Sequence, residues 1–315
     1  MQQQKIEFRR ERDFGSILGD SLKFIKQNFK SFFGSVILIV GPFILLMGLG
    51  YAYMQTSMMN MMYSKPSNPL AMFDSTYFLS IGVMMFCGLL ANILLSGVVY
   101  NYMIIYQEKQ FGEAITVSEV GKRVWSNIGR LTIASIIFII VFILILTILV
   151  LIGVGFVSML GAVAGVLLAL ALIFGLLIFT PVLTYFIPAS FFVVVRDNLS
   201  IFSSMTKVKK YLSGNFWWTW LIMVVALFGL GILQMLFNLP ASIVTMTNTF
   251  TRMSDMSNVQ PEAGNNILLM VFYTLGMFLT YCTSSISHLI SAFNFMSHEE
   301  QHEGKGLMSR IDEIN

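Results

Sequence analysis

Apolar and polar positions fall in blocks along this chain: long uncharged runs are separated by short connectors that carry nearly all the charge. The longest run, Leu131 to Val195, is 65 residues without one Asp, Glu, Lys, Arg, His, Asn or Gln. A single helix of that length would measure about 97 Å, against a bilayer core about 30 Å thick. The run therefore predicts two membrane spans joined by a turn, and the glycines from Gly153 to Gly165 mark the turn. Gly161, Gly165 and Ala169 form a small-residue face, and Pro181 and Pro188 predict bends in the returning helix.

Four more spans follow from the remaining runs: Phe32 to Tyr53, Thr76 to Tyr106, Phe216 to Asn238 and Ile267 to Phe293. In the first, Gly34, Gly41 and Gly48 recur every seven residues, a bare face for close helix approach, and Pro42 predicts a kink. Pro66 and Pro69 break the loop that follows it.

The connectors predict amphipathic helices. Asp13 caps one whose stripe is Phe14, Leu18, Leu22, Ile25 and Phe29, flanked by Lys23, Lys26 and Lys30. Thr116 to Glu119 is a capping box that opens a second, with Val117, Val120, Val124 and Ile128 on one face beside Lys122 and Arg123. Asp197 or Asn198 caps a third, with Ile201, Met205, Val208 and Leu212 on one face and Lys207, Lys209 and Lys210 elsewhere. Each is expected to lie in the headgroup plane, apolar face down, its cations toward anionic lipid. Aligned on Asn28, Asn127 and Asn215, the connectors read as three copies of one unit, residues 13–106, 116–195 and 197–293, before a charged tail, 294–315. The expected fold is all-α: one polytopic transmembrane domain over 1–315, six spans in three hairpins, each led by a cytoplasmic interfacial helix.

Composition agrees with this class. The chain is 56% hydrophobic and 11% charged, and a soluble domain carries about 25% charged residues. The net charge of +3 matters less than its distribution: seventeen of the nineteen Lys and Arg fall in the N-terminal segment, the two long connectors and the tail. Lys65 and Arg252 are the exceptions, so both termini are expected in the cytoplasm. Trp125, Trp217, Trp218 and Trp220 all fall at that same interface. Cys87 and Cys282 lie in apolar segments and read as small hydrophobes. A cleavable signal peptide is not expected, because no short apolar core follows the basic start.

Candidate chemistry is sparse. No Asp, Glu, Lys or Arg falls within a span, which argues against an ion-coupled transporter with a buried carboxylate. The intramembrane polar candidates are Asn92, Asn238 and His288, each a helix-to-helix hydrogen bond or a contact to a lipid headgroup or substrate. His298-Glu299-Glu300-Gln301-His302 matches the H-E-x-x-H zinc-protease pattern, but it lacks a third ligand, and Gly304 and Gly306 break the helix behind it. Met54, Met58, Met59, Met61 and Met62 could hold Cu(I) as soft thioethers; with 22 methionines spread through the chain, packing accounts for them. No catalytic residue, metal or cofactor is assigned, and no nucleic-acid partner is expected.

Glu11-Arg12-Asp13-Phe14-Gly15, Tyr106-Gln107-Glu108-Lys109 before Ile115-Thr116-Val117, and Glu300, Glu303, Gly304, Gly306 and Leu307 in the tail carry a resemblance. In these segments the chain resembles bacterial membrane proteins related to the membrane domain found beside glycerophosphoryl diester phosphodiesterase catalytic domains. The resemblance implies a bacterial inner-membrane architecture and no catalytic residue, since no soluble segment here could hold a barrel of about 250 residues. The function expected is a non-enzymatic scaffold or accessory subunit, binding anionic headgroups and assembling with itself or other membrane proteins. The alternative is a lipid or amphiphile exporter with a path between the repeats; a tail metalloprotease is third.

Overall fold

A computed structural model describes residues 5–64, 75–110, 112–254 and 263–304 of the chain. Among the described residues seven helices follow one another: α1 (Phe14–Ile39), α2 (Gly41–Ser64), α3 (Ser75–Glu108), α4 (Val117–Asp197), α5 (Ile201–Ser213), α6 (Phe216–Ser254) and α7 (Ala263–Glu303). No strand occurs among the described residues. Five helical segments there are long and apolar enough to cross a membrane, six if the bent pair Phe14–Ile39 and Gly41–Met58 is one span. Pro66, Pro69, Lys65, Gly306 and Leu307 lie outside the described residues.

Local chemistry explains most boundaries. The Asp13 carboxylate accepts from Ser16 N at 2.7 Å and starts α1. Thr116 and Glu119 satisfy each other's backbone N–H groups and start α4. The chain bends by 58° between α1 and α2. Pro42 offers no N–H to the Leu38 carbonyl and its ring crowds that carbonyl, so the first helix stops short of it. Inside α4 the one non-helical residue is Gly161, at φ 81° and ψ 179°, a conformation that an L side chain rarely adopts. The chain reverses there, within the expected turn. A Cβ on Gly165 would meet Val157 Cγ2 at 2.6 Å, so the two arms touch beside the turn. The helix continues through Pro181 and Pro188 without a non-helical residue at either.

Several expectations are corrected. The amphipathic segments of units one and two are not separate surface helices: α1 runs unbroken from Phe14 to Ile39, and α4 passes from its capping box straight into the apolar run. Only α5 stands apart. It is capped by Ser200, because Asp197 is committed to Arg196 and Lys207 and Asn198 closes α4 at φ 56°. Helix α2 extends through Met54 and Met58 to Ser64, so the first part of the expected loop is helical. Helix α7 continues past Phe293 to Glu303, so the start of the expected tail is helix.

The packed core lies at one end of the bundle, here called the base. The C-terminal halves of α3, α4 and α7 form its inside, with buried runs at 93–103, 189–195 and 289–298. Around them wrap α1, the start of α4, and α5. Phe24 of α1 is fully buried, with ring centroids 5.0 Å from Tyr106, 5.9 Å from Tyr102 and 6.1 Å from Phe293. Away from the base, α2 packs between α3 and α7, and α6 packs on α7. The arms of α4 stand alone: between residues 139 and 180 no described side chain is buried.

Candidate functional site

The base gathers the charged groups, and its construction begins with the N-terminal strap ahead of α1. Ile6 and Phe8 are buried there. Phe8 stacks on Tyr106 at 5.8 Å and meets Phe293 edge-on at 5.4 Å. Lys5 Nζ donates to the Gln107 and Lys109 carbonyls at 2.9 and 2.6 Å. Arg12 is 2% exposed. Its guanidinium donates to Asp20 Oδ2 at 2.8 Å and to the carbonyls of Phe8, Arg10 and Glu7, and lies 4.9 Å from the Phe293 ring. Burial lowers its pKa below the ordinary arginine value, with Asp20 opposing. This many acceptors are what a buried cation requires. Arg12 was not among the sequence-derived candidates; the signal available was its place in the Glu-Arg-Asp-Phe-Gly segment.

A second ionic group joins α4, α5 and α7. Arg196 makes a bidentate pair with Glu299, 2.6 and 2.7 Å, and donates through Nε to Asp197 at 2.7 Å. Lys207 bridges the same carboxylates, 2.8 Å to Asp197 and 2.6 Å to Glu299. The Arg196 guanidinium also covers the rings of Phe192 and Phe295, at 5.1 and 5.4 Å. Burial works against the Lys207 charge, but Asp197 and Glu299 more than offset it, and the pKa is raised. Beside this quartet and under the strap is an open polar hollow of about 300 Å³ reached by Arg9, Gln107 and Glu300.

These contacts divide the cations that the sequence singled out. Lys23, Lys26, Lys30, Lys122, Lys209 and Lys210 are exposed around the base. Lys207 is held in the quartet, and Arg123 is paired with Glu108 at 2.7 Å, so neither is a free headgroup ligand in this arrangement. The apolar stripes face protein more than surroundings. Val120 and Val124 are buried against α3, where a Cβ on Gly97 would lie 3.2 Å from Val124 Cγ1. On α1 the buried face is Ile17, Ser21, Phe24 and Phe32. Of the expected stripe only Ile25 is buried; Leu22 and Phe29 are 59% and 60% exposed beside the lysines.

The three asparagines that align the connectors each hydrogen-bond to a side chain of a neighbouring helix. Asn28 Oδ1 accepts from Tyr102 OH at 3.3 Å, Asn127 donates to Asn101 at 2.9 Å, and Asn215 donates to Gln301 at 3.5 Å. The intramembrane candidates also meet helices. Asn92 donates to Tyr281 OH at 2.9 Å, and His288 Nδ1 shares a proton with Tyr100 OH at 2.7 Å. Asn238 donates to the Gln234 carbonyl, and its Oδ1 lies 2.7 Å from where a Gly276 Cβ would stand. The three are not brought into one site.

In the tail, His298 is 1% exposed and its Nε2 shares a proton with Thr219 Oγ1 at 2.9 Å. Glu299 is clamped by Arg196 and Lys207, and His302 stacks on Tyr211 at 5.3 Å. The pattern's three functional positions are thus engaged in packing α7 onto α4, α5 and α6. No group of three or more His, Cys, Asp or Glu is arranged for a metal among the described residues.

The helices and their uncharged surfaces define the class: an all-α polytopic membrane protein. No protein-family model, curated protein or solved structure matches the chain.

Proposed function

We propose that the protein is a non-enzymatic scaffold or accessory subunit of a membrane complex, seated on anionic headgroups through the lysines around its base. The observation that carries this is the division of cations there. Arg12, Arg123, Arg196 and Lys207 are paired within the chain, whereas Lys23, Lys26, Lys30, Lys122, Lys209 and Lys210 face outward. Paired cations close the base; outward lysines are what an anionic surface recognises, at roughly 1 kcal/mol each. The middle of the base is filled by Tyr100, Tyr102, Phe192, Phe293 and Phe295, which supports a scaffold over a conduit. In this reading the chain crosses a bacterial inner membrane six times as three repeated hairpins, with both termini and the base in the cytoplasm. The charge distribution supports that orientation. The architecture proposed is that of the phosphodiesterase-associated membrane domain that the chain resembles.

One observation favours the alternative, a lipid exporter: a lateral apolar groove of about 780 Å³ between the bent α1–α2 pair and α7. The two readings separate in one experiment on the full chain. Crosslinking in native membranes is expected to trap a stoichiometric assembly that is lost when the six outward lysines become Gln, with thermal stability unchanged. Transbilayer lipid movement by the reconstituted protein that fails in Asn92→Ala, Asn238→Ala or His288→Ala, with assembly intact, overturns the scaffold and establishes the exporter.

A further inference from the structure

The groove is built by the sequence itself. Pro42 bends the chain away from α1, and the angle between α1 and α2 opens a slot against α7. Its walls are Ile37, Pro42, Leu45 and Leu49 on one side and Val271 and Phe278 on the other. Thr274 is the one polar residue lining it among the described residues. Ile37 to Leu49 is about 18 Å along the helices at the helical rise, and the 58° bend shortens the wall to about 16 Å, close to the half-thickness of about 15 Å that one leaflet's chains occupy. A volume of about 780 Å³ is within the usual range of small-molecule sites, about 300–1,000 Å³.

What stands at its basal mouth identifies the occupant. Lys26, Lys30, Phe33 and Ile37 are spaced by four, three and four, so they form one stripe of α1. Both lysines are exposed. Phe29 packs on Phe33 at 5.0 Å, making an apolar shoulder between the lysines and the groove. Lys30 stands seven residues ahead of Ile37, the first residue of the groove, about 10 Å at the helical rise, so the cations of this stripe precede an apolar slot of about one-leaflet depth. The α4 arms offer the contrast: they expose apolar side chains along their length, with no cation between residues 131 and 195.

We propose that this groove is a binding site for an anionic glycerophospholipid, one acyl chain in the slot and the phosphate on Lys26 and Lys30. The inference rests on the reading that the base lies at an anionic membrane face, and it adds a defined lipid seat to that general attraction. The phosphate oxygens accept from the two ammonium groups, which are free to reach them, and the chain replaces bilayer contacts with the fixed walls of the groove. The lysines supply headgroup selectivity and the slot supplies position.

The test uses the full chain in phosphatidylcholine vesicles with a trace of phosphatidylglycerol carrying a photoreactive group on its acyl chain. Crosslinked peptides are counted by mass spectrometry, with the bare arms, 139–180, as the reference for ordinary boundary lipid. Labelling of the groove walls is expected to exceed that of the arms, by roughly fivefold per lysine as a basic residue near an anionic surface provides. Lys26→Gln with Lys30→Gln is expected to erase the excess without touching the core. Leu45→Trp with Val271→Trp, at exposed wall positions, is expected to erase it by filling the slot. The same label on phosphatidylcholine should mark groove and arms alike. Equal labelling of both regions by the anionic probe overturns the proposal, and so does an excess that survives the lysine changes or is matched by phosphatidylcholine. Failure confined to these variants leaves intact any dependence of assembly on the other outward lysines, so the general reading is judged separately.

Discussion

The base and the α4 arms are built from the same kinds of residue, yet one is packed like a protein interior and the other touches almost nothing. One uncharged block supplies both. Its ends, near Leu131 and from Ala189 to Val195, are buried in the base, while between residues 139 and 180 no described side chain is buried. Apolar character is therefore no guide to packing in a chain of this kind, since lipid accepts an Ile or Leu as readily as protein does. What distinguishes the base is aromatic and polar specificity: Phe24 among five rings, Arg12 amid carbonyls, Arg196 and Lys207 between two carboxylates.

The sharpest way to break this contrast is to damage the base. Arg196→Leu leaves Glu299 and Asp197 short of a partner; removing one member of a fully buried ionic group costs about 3–5 kcal/mol, and this one, with side chains 17–24% exposed, is expected at the lower end. A large drop in melting temperature of the purified protein is expected, and an unchanged melt would mean that the quartet contributes no stability. Phe24→Ala is expected to cost a comparable amount, about 3–5 kcal/mol, through lost burial and the cavity left behind. A smaller effect is expected at Gly165→Leu, where the new side chain must displace Val157: overpacking of about 1–3 kcal/mol. Proteolysis should report it as opening at the hairpin tip with the base intact.

Lys207 adds a pH dependence to the base alone. Its pKa is raised in the fold, so its contribution is fully present below the ordinary lysine value of 10.5 and is lost as pH rises through the folded value. Melting curves taken from neutral to strongly alkaline pH should fall in this region for the natural chain and fall less for Lys207→Met. A parallel decline in both would remove Lys207 from the account. The smallest effect belongs to the arms. Leu151→Ala and Phe174→Ala, at positions 65% and 63% exposed, are expected to stay within about 0.5 kcal/mol. A larger loss in detergent would show that the arms pack on something that the isolated chain retains.

Much of the helix layout was legible because its signals are local. The Asp13 cap, the Thr116–Glu119 box, the bend before Pro42 and the reversal at Gly161 each depend on chemistry within a few residues. The third helix start was misjudged because Asp197, a good cap by type, is drawn away by Arg196 and by Lys207 ten residues on. The burial of Arg12 is not legible locally because the ring that covers its guanidinium, Phe293, belongs to α7 at the far end of the chain. The H-E-x-x-H spacing was read correctly as a pattern, but only the packing of α7 reveals His298 on Thr219 and Glu299 between two cations.

The sequence by itself determined that this is a helical membrane protein, where α1 and α4 begin, that the chain breaks before Pro42 and reverses near Gly161, and that its cations cluster in the connectors and termini. These follow from backbone hydrogen bonding, proline and glycine sterics and the cost of charge in lipid, none of which needs a distant partner. Only the tertiary structure decided which apolar faces meet protein, which cations are paired, and where a groove opens. An amphipathic stripe states that a face avoids water; in a membrane both lipid and another helix satisfy that demand, and only the assembled fold chooses between them.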